Sequence, residues 1–203
     1  MDPRKLLAYT EKIGWRFLLV LGVALCWQVG NTVAWGLTFN RGVSSLRFRE
    51  LFVAKLAGDA INHITPLLGL GGEFVKPYLI RRGAPLPSGF ASIVITKTVQ
   101  ALTGVVYALA GVGLALFLFD LPRFVWTATA GLVGAGAVII LWLFLQQRGA
   151  PFSSLLGLLA RVGIKRLAAE DRRRGVAEMD RLIATYYRRE RGRFAIALVI
   201  LYI

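Results

Sequence analysis

The chain is predicted to be an all-α, polytopic integral membrane helical bundle, and three observations lead there. Of its 203 residues, 56% are hydrophobic, and the mean hydropathy is +0.61. The apolar residues stand in long runs rather than at the period that marks a half-buried strand or helix. The net charge of +14 is carried mostly by basic residues flanking those runs. A basic soluble protein would suggest nucleic acid. Basic residues at the ends of apolar runs read instead as topology and attraction to anionic headgroups, so no nucleic-acid partner is expected. A lone cysteine, Cys26, excludes an intrachain disulfide or thiolate metal site, and a lone histidine, His63, excludes a centre of several imidazoles. No metal and no cofactor are expected.

Trp15–Phe39 is the first span, 25 residues or about 37 Å at helical rise, enough to cross a bilayer with some tilt. Trp15 and Trp35 near its ends suit interfacial aromatic belts. Arg4, Lys5, Lys12 and Arg16 precede it like a signal-peptide n-region, but the run outlasts such a peptide's apolar core, so an uncleaved anchor is expected. Leu25 stands where a lipidated Cys26 would need a small residue. A polar link over 40–50 carries Arg41, Arg47 and Arg49, and a polar-striped segment runs from Leu51 to about Leu70.

The third span begins near Phe90, and its most apolar part, Ala101–Phe119, has 19 residues, just enough to cross. Lys97 and Gln100 fall toward its start, where a lysine can snorkel. Gly104, Ala108, Gly111 and Ala115 form a small-residue stripe expected to admit another helix closely. Asp120–Arg123 is a turn, and Phe124–Leu145 is the fourth span. Residues 146–193 hold 12 Lys/Arg against 5 Asp/Glu, with Val176, Met179, Ile183 and Tyr186 on one helical face. An amphipathic helix on the membrane surface and a solvated charge run both fit that loop. Phe194–Ile203 is apolar for 10 residues, which reads as the start of a further span cut short, within one membrane domain over 1–203.

The charge bias sets orientation. The basic loop 146–193 should be cytoplasmic, with the Asp120 turn outside and Arg81 and Arg82 inside. If the striped segment crosses once, the N-terminus is inside and the 40–50 link alone disagrees. If it re-enters, that parity breaks.

The striped segment carries the chemistry. Lys55, Asp59, Asn62, His63 and Pro66 share one helical face, opposite Phe52, Leu56, Ile61, Ile64 and Leu68. Ionisable groups are costly in hydrocarbon, so this face should turn toward protein or a wet cavity. Thr65-Pro66 interrupts the helix, and Gly69, Gly71 and Gly72 follow. Irregular backbone at membrane depth needs protein or water around it, which predicts a broken or re-entrant helix pair near 58–82. The Gly71 and Gly72 amides would then open the next helix as an anion site, with Lys76 one turn on. An ordinary Gly-Gly loop with its charges among headgroups is the plain alternative. No nucleotide fingerprint is present, because Phe74 stands where the dinucleotide motif needs glycine.

The order Asn62-x-x-Thr65-Pro66, Gly69-x-Gly71-Gly72-Glu73-x-x-Lys76 and Arg81-Arg82 resembles the flippase-like transmembrane region of lysylphosphatidylglycerol synthases. That family includes stand-alone membrane proteins, some associated with hopanoid biosynthesis, and the specific part of the likeness lies at about residues 58–100. The resemblance implies a multi-span bacterial inner-membrane protein with an inward-facing cavity that holds or moves a lipid headgroup. In the synthases a separate soluble domain performs aminoacyl transfer, and none appears in these residues.

Movement of a lipid between leaflets without ATP hydrolysis, or lipid binding in its support, follows from this reading. Lys55 and Lys76, with the Gly71 and Gly72 amides, would take the phosphate. Asp59 and Glu73 would balance those lysines or meet a cationic headgroup, and Asn62, His63, Thr65, Arg81, Arg82 and Lys97 complete the candidate headgroup-binding set. A purely structural Lys55–Asp59 pair is the alternative for those two. A rival reading is a membrane-embedded enzyme using Asp59, His63 or Glu73 as acid or base, histidine being the side chain that titrates nearest neutrality. No nucleophile or nucleotide motif accompanies them, so lipid translocation is the favoured reading and the enzyme stays its alternative. A third is a scaffold that anchors lipid-biosynthesis enzymes through its basic loop. The partners expected are membrane lipids, anionic phospholipid headgroups foremost.

Overall fold

The computed structural model describes residues 14–42, 45–65, 71–118, 123–148, 152–153 and 170–202. The expected turn at 120–122, the Pro66 and Gly69 positions and the basic residues before Gly14 lie outside them. Within the described residues the chain is all helical: α1 (Arg16–Leu37), α2 (Phe48–Ile64), α3 (Gly71–Leu79), α4 (Leu86–Leu118), α5 (Arg123–Arg148), α6 (Glu170–Arg189) and α7 (Arg191–Tyr202). Two are long and apolar enough to cross a membrane, α1 throughout and α4 over Leu86–Ala115, and the apolar part of α5, Phe124–Val138, is shorter. The third span therefore starts earlier than the apolar run suggested. Its polar first turns are continuous with the 33-residue helix.

The striped segment stops where the chemistry of its residues requires. Glu50 accepts from the Arg47 backbone N–H at 2.9 Å, closing the start of α2. At the far end Thr65 is extended (φ −89°, ψ 129°), the conformation a following proline imposes. Its hydroxyl donates to the Ile61 carbonyl. α3 then packs back along α2. Gly72 lies so close to Gly58 that any Cβ there would strike the Gly58 carbonyl oxygen. Buried Pro77 seats α3 on α4 where Gly89 leaves room, since a Cβ at Gly89 would come within 2.9 Å of it.

Both ends of the α2–α3 hairpin meet. Ser45 N–H donates to the Gly83 carbonyl at 3.0 Å, so the link before α2 and the turn after α3 lie side by side. The α6–α7 junction joins them. Arg41 pairs with Glu190 at 3.5 Å, and the Asn40 amide donates to the Leu182 carbonyl at 3.0 Å. Arg193 donates to the carbonyls of Phe39 at 2.7 Å and Gly36 at 3.1 Å, putting a cation on the negative end of α1. The Tyr186 hydroxyl adds a bond to the Leu37 carbonyl at 3.1 Å, and burial pushes its pKa up to about 12, which keeps it a donor. Arg41, Arg81, Arg82 and the arginines around residue 190 thus share one end of the bundle. Ser45 of the 40–50 link sits at that end too, beside Gly83.

Three apolar clusters hold the helices. Trp35, Phe39, Leu51, Ala54, Ile80 and Ala84 join α1 to the hairpin. Ala91 and Ile95 of α4 meet Leu182, Ile183, Tyr186 and Tyr187 of α6. Ala34, Val99, Ala197 and Leu201 tie α1, α4 and α7. The apolar face of α6 is therefore covered by α4, and its arginines 173, 181, 188 and 189 are exposed. Outward, α1, α4 and α5 present Leu18, Val23, Trp27, Val106, Phe117, Trp126 and Leu141, an apolar surface far larger than soluble monomers expose.

Two details of the sequence reading change. Trp35 is no interfacial anchor: it is 3% exposed, and its indole N–H donates to Ser92 Oγ at 3.0 Å. Trp35→Phe keeps the ring but orphans that bond, and should cost about 1 kcal/mol. Thermal unfolding in detergent measures it, and in a Trp35→Phe/Ser92→Ala double variant the losses should be less than additive. Among the described residues the small-residue stripe receives no helix either, because a Cβ at Gly104 or Gly111 would meet open space. The close approach comes from Gly136 of α5, where a Cβ would lie 2.8 Å from Val105.

Candidate functional site

Spacing along α2 places Lys55, Asp59 and Asn62 on one side, and the hairpin brings α3 against it. Glycine at 58 is what lets the two charge sets touch. The stem of Lys76 crosses that position so closely that a Cβ at Gly58 would lie 2.5 Å from it. The Lys76 ammonium then reaches Asp59 Oδ1 at 3.0 Å and Glu73 Oε1 at 3.0 Å. Asp59 Oδ2 holds Lys55 at 2.6 Å, and Glu73 Oε1 holds Lys97 of α4 at 2.9 Å. The result is a line of alternating charge, Lys55–Asp59–Lys76–Glu73–Lys97, drawn from three helices.

No like charges are neighbours in that line, and each carboxylate is shared by two ammonium groups. Buried ions are tolerated only with this degree of pairing. Side-chain exposure is 12% for Lys55, 7% for Lys76 and 10% for Glu73, against 47% for Lys97. The network is sealed along most of its length and opens at Lys97.

Neutral groups fix its ends. Gln28 of α1 accepts from Lys55 at 2.5 Å. Asn62 uses both halves of its amide: Oδ1 accepts from the Gly72 N–H at 2.7 Å, and Nδ2 donates weakly to Glu73 Oε1 at 3.4 Å. The Gly72 amide, expected as a free donor for an anion, is thus taken by Asn62, which caps α3. Thr65 packs against Gly71, where a Cβ would come within 2.5 Å of its hydroxyl. His63 is exposed, as are Arg81 and Arg82 in the turn after α3, and none of the three takes part in the network. Sequence reasoning missed Gln28. The available signal was an amide in the middle of an otherwise apolar span.

A cavity of about 670 Å³ lies between α1, α4 and α7. Trp27 and Asn31 of α1, Gln100, Thr103, Gly104 and Ala108 of α4, and Leu201 of α7 line it. Gln100 is one helical turn along α4 from Lys97, and Asn31 one turn along α1 from Gln28, so two lining residues stand a turn from members of the charged line. The small residues of the α4 stripe widen this space. Its lining combines the polar Asn31, Gln100 and Thr103 with the apolar Trp27, Ala108 and Leu201. Among the described residues no group of three or more His, Cys, Asp or Glu is placed to hold a metal ion.

Comparison with known proteins places the chain. It is 30% identical over 117 residues to a UPF0104 membrane protein of Methanothermobacter thermautotrophicus, a match covering 56% of this chain and 33% of the relative. The chain therefore matches about a third of that relative's length. No solved structure matches. The family description that matches, over residues 1–203, is the lysylphosphatidylglycerol synthase TM region, with nothing in it particular to a hopanoid-associated branch. With a match along its full length, this membrane protein belongs to the lysylphosphatidylglycerol synthase TM region family.

Proposed function

We propose that the protein binds a phospholipid headgroup at the α2–α3–α4 charge network and carries the lipid between leaflets, without hydrolysing ATP. The network itself carries the reading: five ionised side chains from three helices, four of them largely buried, in a chain whose outer surface is apolar. Charges at this density inside a membrane protein mark a path for polar cargo. The lysines would shield the phosphate from hydrocarbon, and the adjoining cavity would take the part of the lipid nearest the headgroup.

The setting that fits is a multi-span bundle in the bacterial inner membrane. Its arginine-rich end, formed by the 40–50 link, the 80–85 turn and the α6–α7 junction, would face the cytoplasm. The α2–α3 hairpin would enter from that end and return to it, which the Ser45–Gly83 contact supports.

The test is reconstitution of the full-length protein in liposomes with a labelled phospholipid. Wild type should move label between leaflets without nucleotide. Glu73→Gln combined with Lys76→Met removes one charge of each sign, leaving Lys55 paired with Asp59 and the Lys97 ammonium, half exposed, to be met by solvent. Its rate should fall about tenfold or more. An unchanged rate would remove the network from the transport path.

A further inference from the structure

The charges of the network do not cancel. Three ammonium groups face two carboxylates, so the empty site carries +1. A charge-assisted contact from an anionic ligand to the surplus ammonium adds binding energy that a ligand of no net charge does not gain in full.

The surplus can be located. Lys76 is held by both carboxylates, and Lys55 by Asp59 and Gln28. Among the described residues Lys97 meets Glu73 alone, through one contact at 2.9 Å, and is the most exposed of the five. An ammonium has three donors, so Lys97 has two left to offer. Should it swing away, Glu73 keeps Lys76 at 3.0 Å and the Asn62 amide at 3.4 Å. No other lysine of the network can leave its partner so cheaply. Lys97 also stands one turn along α4 from Gln100, which lines the cavity.

We propose that the site selects a headgroup bearing one net negative charge, a phosphodiester with no compensating cation, and that Lys97 is the residue that reads that charge. This rests on the headgroup reading of the network and goes further by fixing the class of headgroup. A phosphodiester monoanion brings the site to neutrality, with its oxygens on Lys97. A zwitterionic headgroup leaves the total at +1, and a lysyl ester, with two ammonium groups against one phosphate, raises it to +2. Glu73 acts as the resident anion, holding Lys97 until phosphate replaces it.

The experiment titrates detergent-solubilised full-length protein with dihexanoyl-phosphatidylglycerol, its lysyl ester, dihexanoyl-phosphatidylcholine and free glycerophosphoglycerol. In wild type the anionic lipid should bind about tenfold more tightly than the zwitterion, the gain of one charge-assisted contact. The lysyl ester should be weakest. Lys97→Gln should bring anionic and zwitterionic lipids within about twofold by weakening the anionic one alone, while Lys97→Arg keeps the preference.

Equal binding of the two lipids by wild type, or a preference that survives Lys97→Gln, would overturn charge selection while leaving the headgroup reading in place. Absence of binding by every lipid would overturn both. Free glycerophosphoglycerol should bind more weakly than the lipid, with the same dependence on Lys97. Equal affinity would keep the charge rule and remove the lipid. Should Lys97→Gln fail to fold, the wild-type series and Lys97→Arg still decide the outcome.

Discussion

Lys76→Met should be among the most damaging single substitutions in the bundle, costing about 3 kcal/mol of stability. The methionine stem still fills the space over Gly58, so packing is nearly kept. What disappears is the one cation bonded to both Asp59 and Glu73. Each carboxylate retains one ammonium, Lys55 or Lys97, which sets the loss at the lower end for a broken buried pair. Unfolding in detergent measures it. Adding Asp59→Asn or Glu73→Gln removes a charge left short of partners and should restore part of the loss. A single variant as stable as wild type would mean that the five charges contribute nothing as a connected unit.

Gly72→Ala should cost a comparable amount, about 3 kcal/mol, by overpacking. The added methyl overlaps the Gly58 carbonyl oxygen, which is backbone and has no rotamer to retreat into. Relief requires α3 to move off α2, and that also pulls Lys76 from Asp59. Gly111→Ala is the control. It too adds a methyl to a helical glycine, but into open space, so the better helix propensity of alanine should leave stability unchanged or raised by up to about 1 kcal/mol. Thermal unfolding of the two variants should therefore move in opposite directions, or one should not move at all.

Local geometry was legible in the sequence, and contacts between helices were not. The spacing of Lys55, Asp59 and Asn62 follows from helical rotation alone, and the structure brings them together. The same rotation puts His63 about 80° round from Lys55 at 100° per residue, far enough to leave the shared face, and the histidine is exposed. Thr65-Pro66 marked the end of α2, because that constraint acts on one neighbouring residue. By contrast, Glu73 with Lys97 and Lys55 with Gln28 are separated by 24 and 27 residues, and no periodicity encodes such a meeting.

The Gly72 amide illustrates the same limit. A glycine-rich helix start offers free donors in isolation, but Asn62 from the preceding helix reaches it first. The apolar faces of α6 and α4 were plain from residue pattern. Whether lipid, protein or space covers each was not, since all three accept the same side chains. α4 covers one, and a cavity adjoins part of the other.

Thiol labelling at position 100 tests most directly whether the charge network opens into a hydrated, anion-attracting vestibule. Cys26, the one native cysteine, is exposed and is first replaced by serine. Cysteine in place of Gln100 then reports on the cavity one turn from Lys97, and it should react in native membranes with a sulfonate-bearing methanethiosulfonate faster than with its trimethylammonium counterpart. That ratio should collapse when Lys97→Gln is added. A cysteine at 100 that reacts with neither reagent until the protein is denatured, or with both equally, would contradict a vestibule charged by this network.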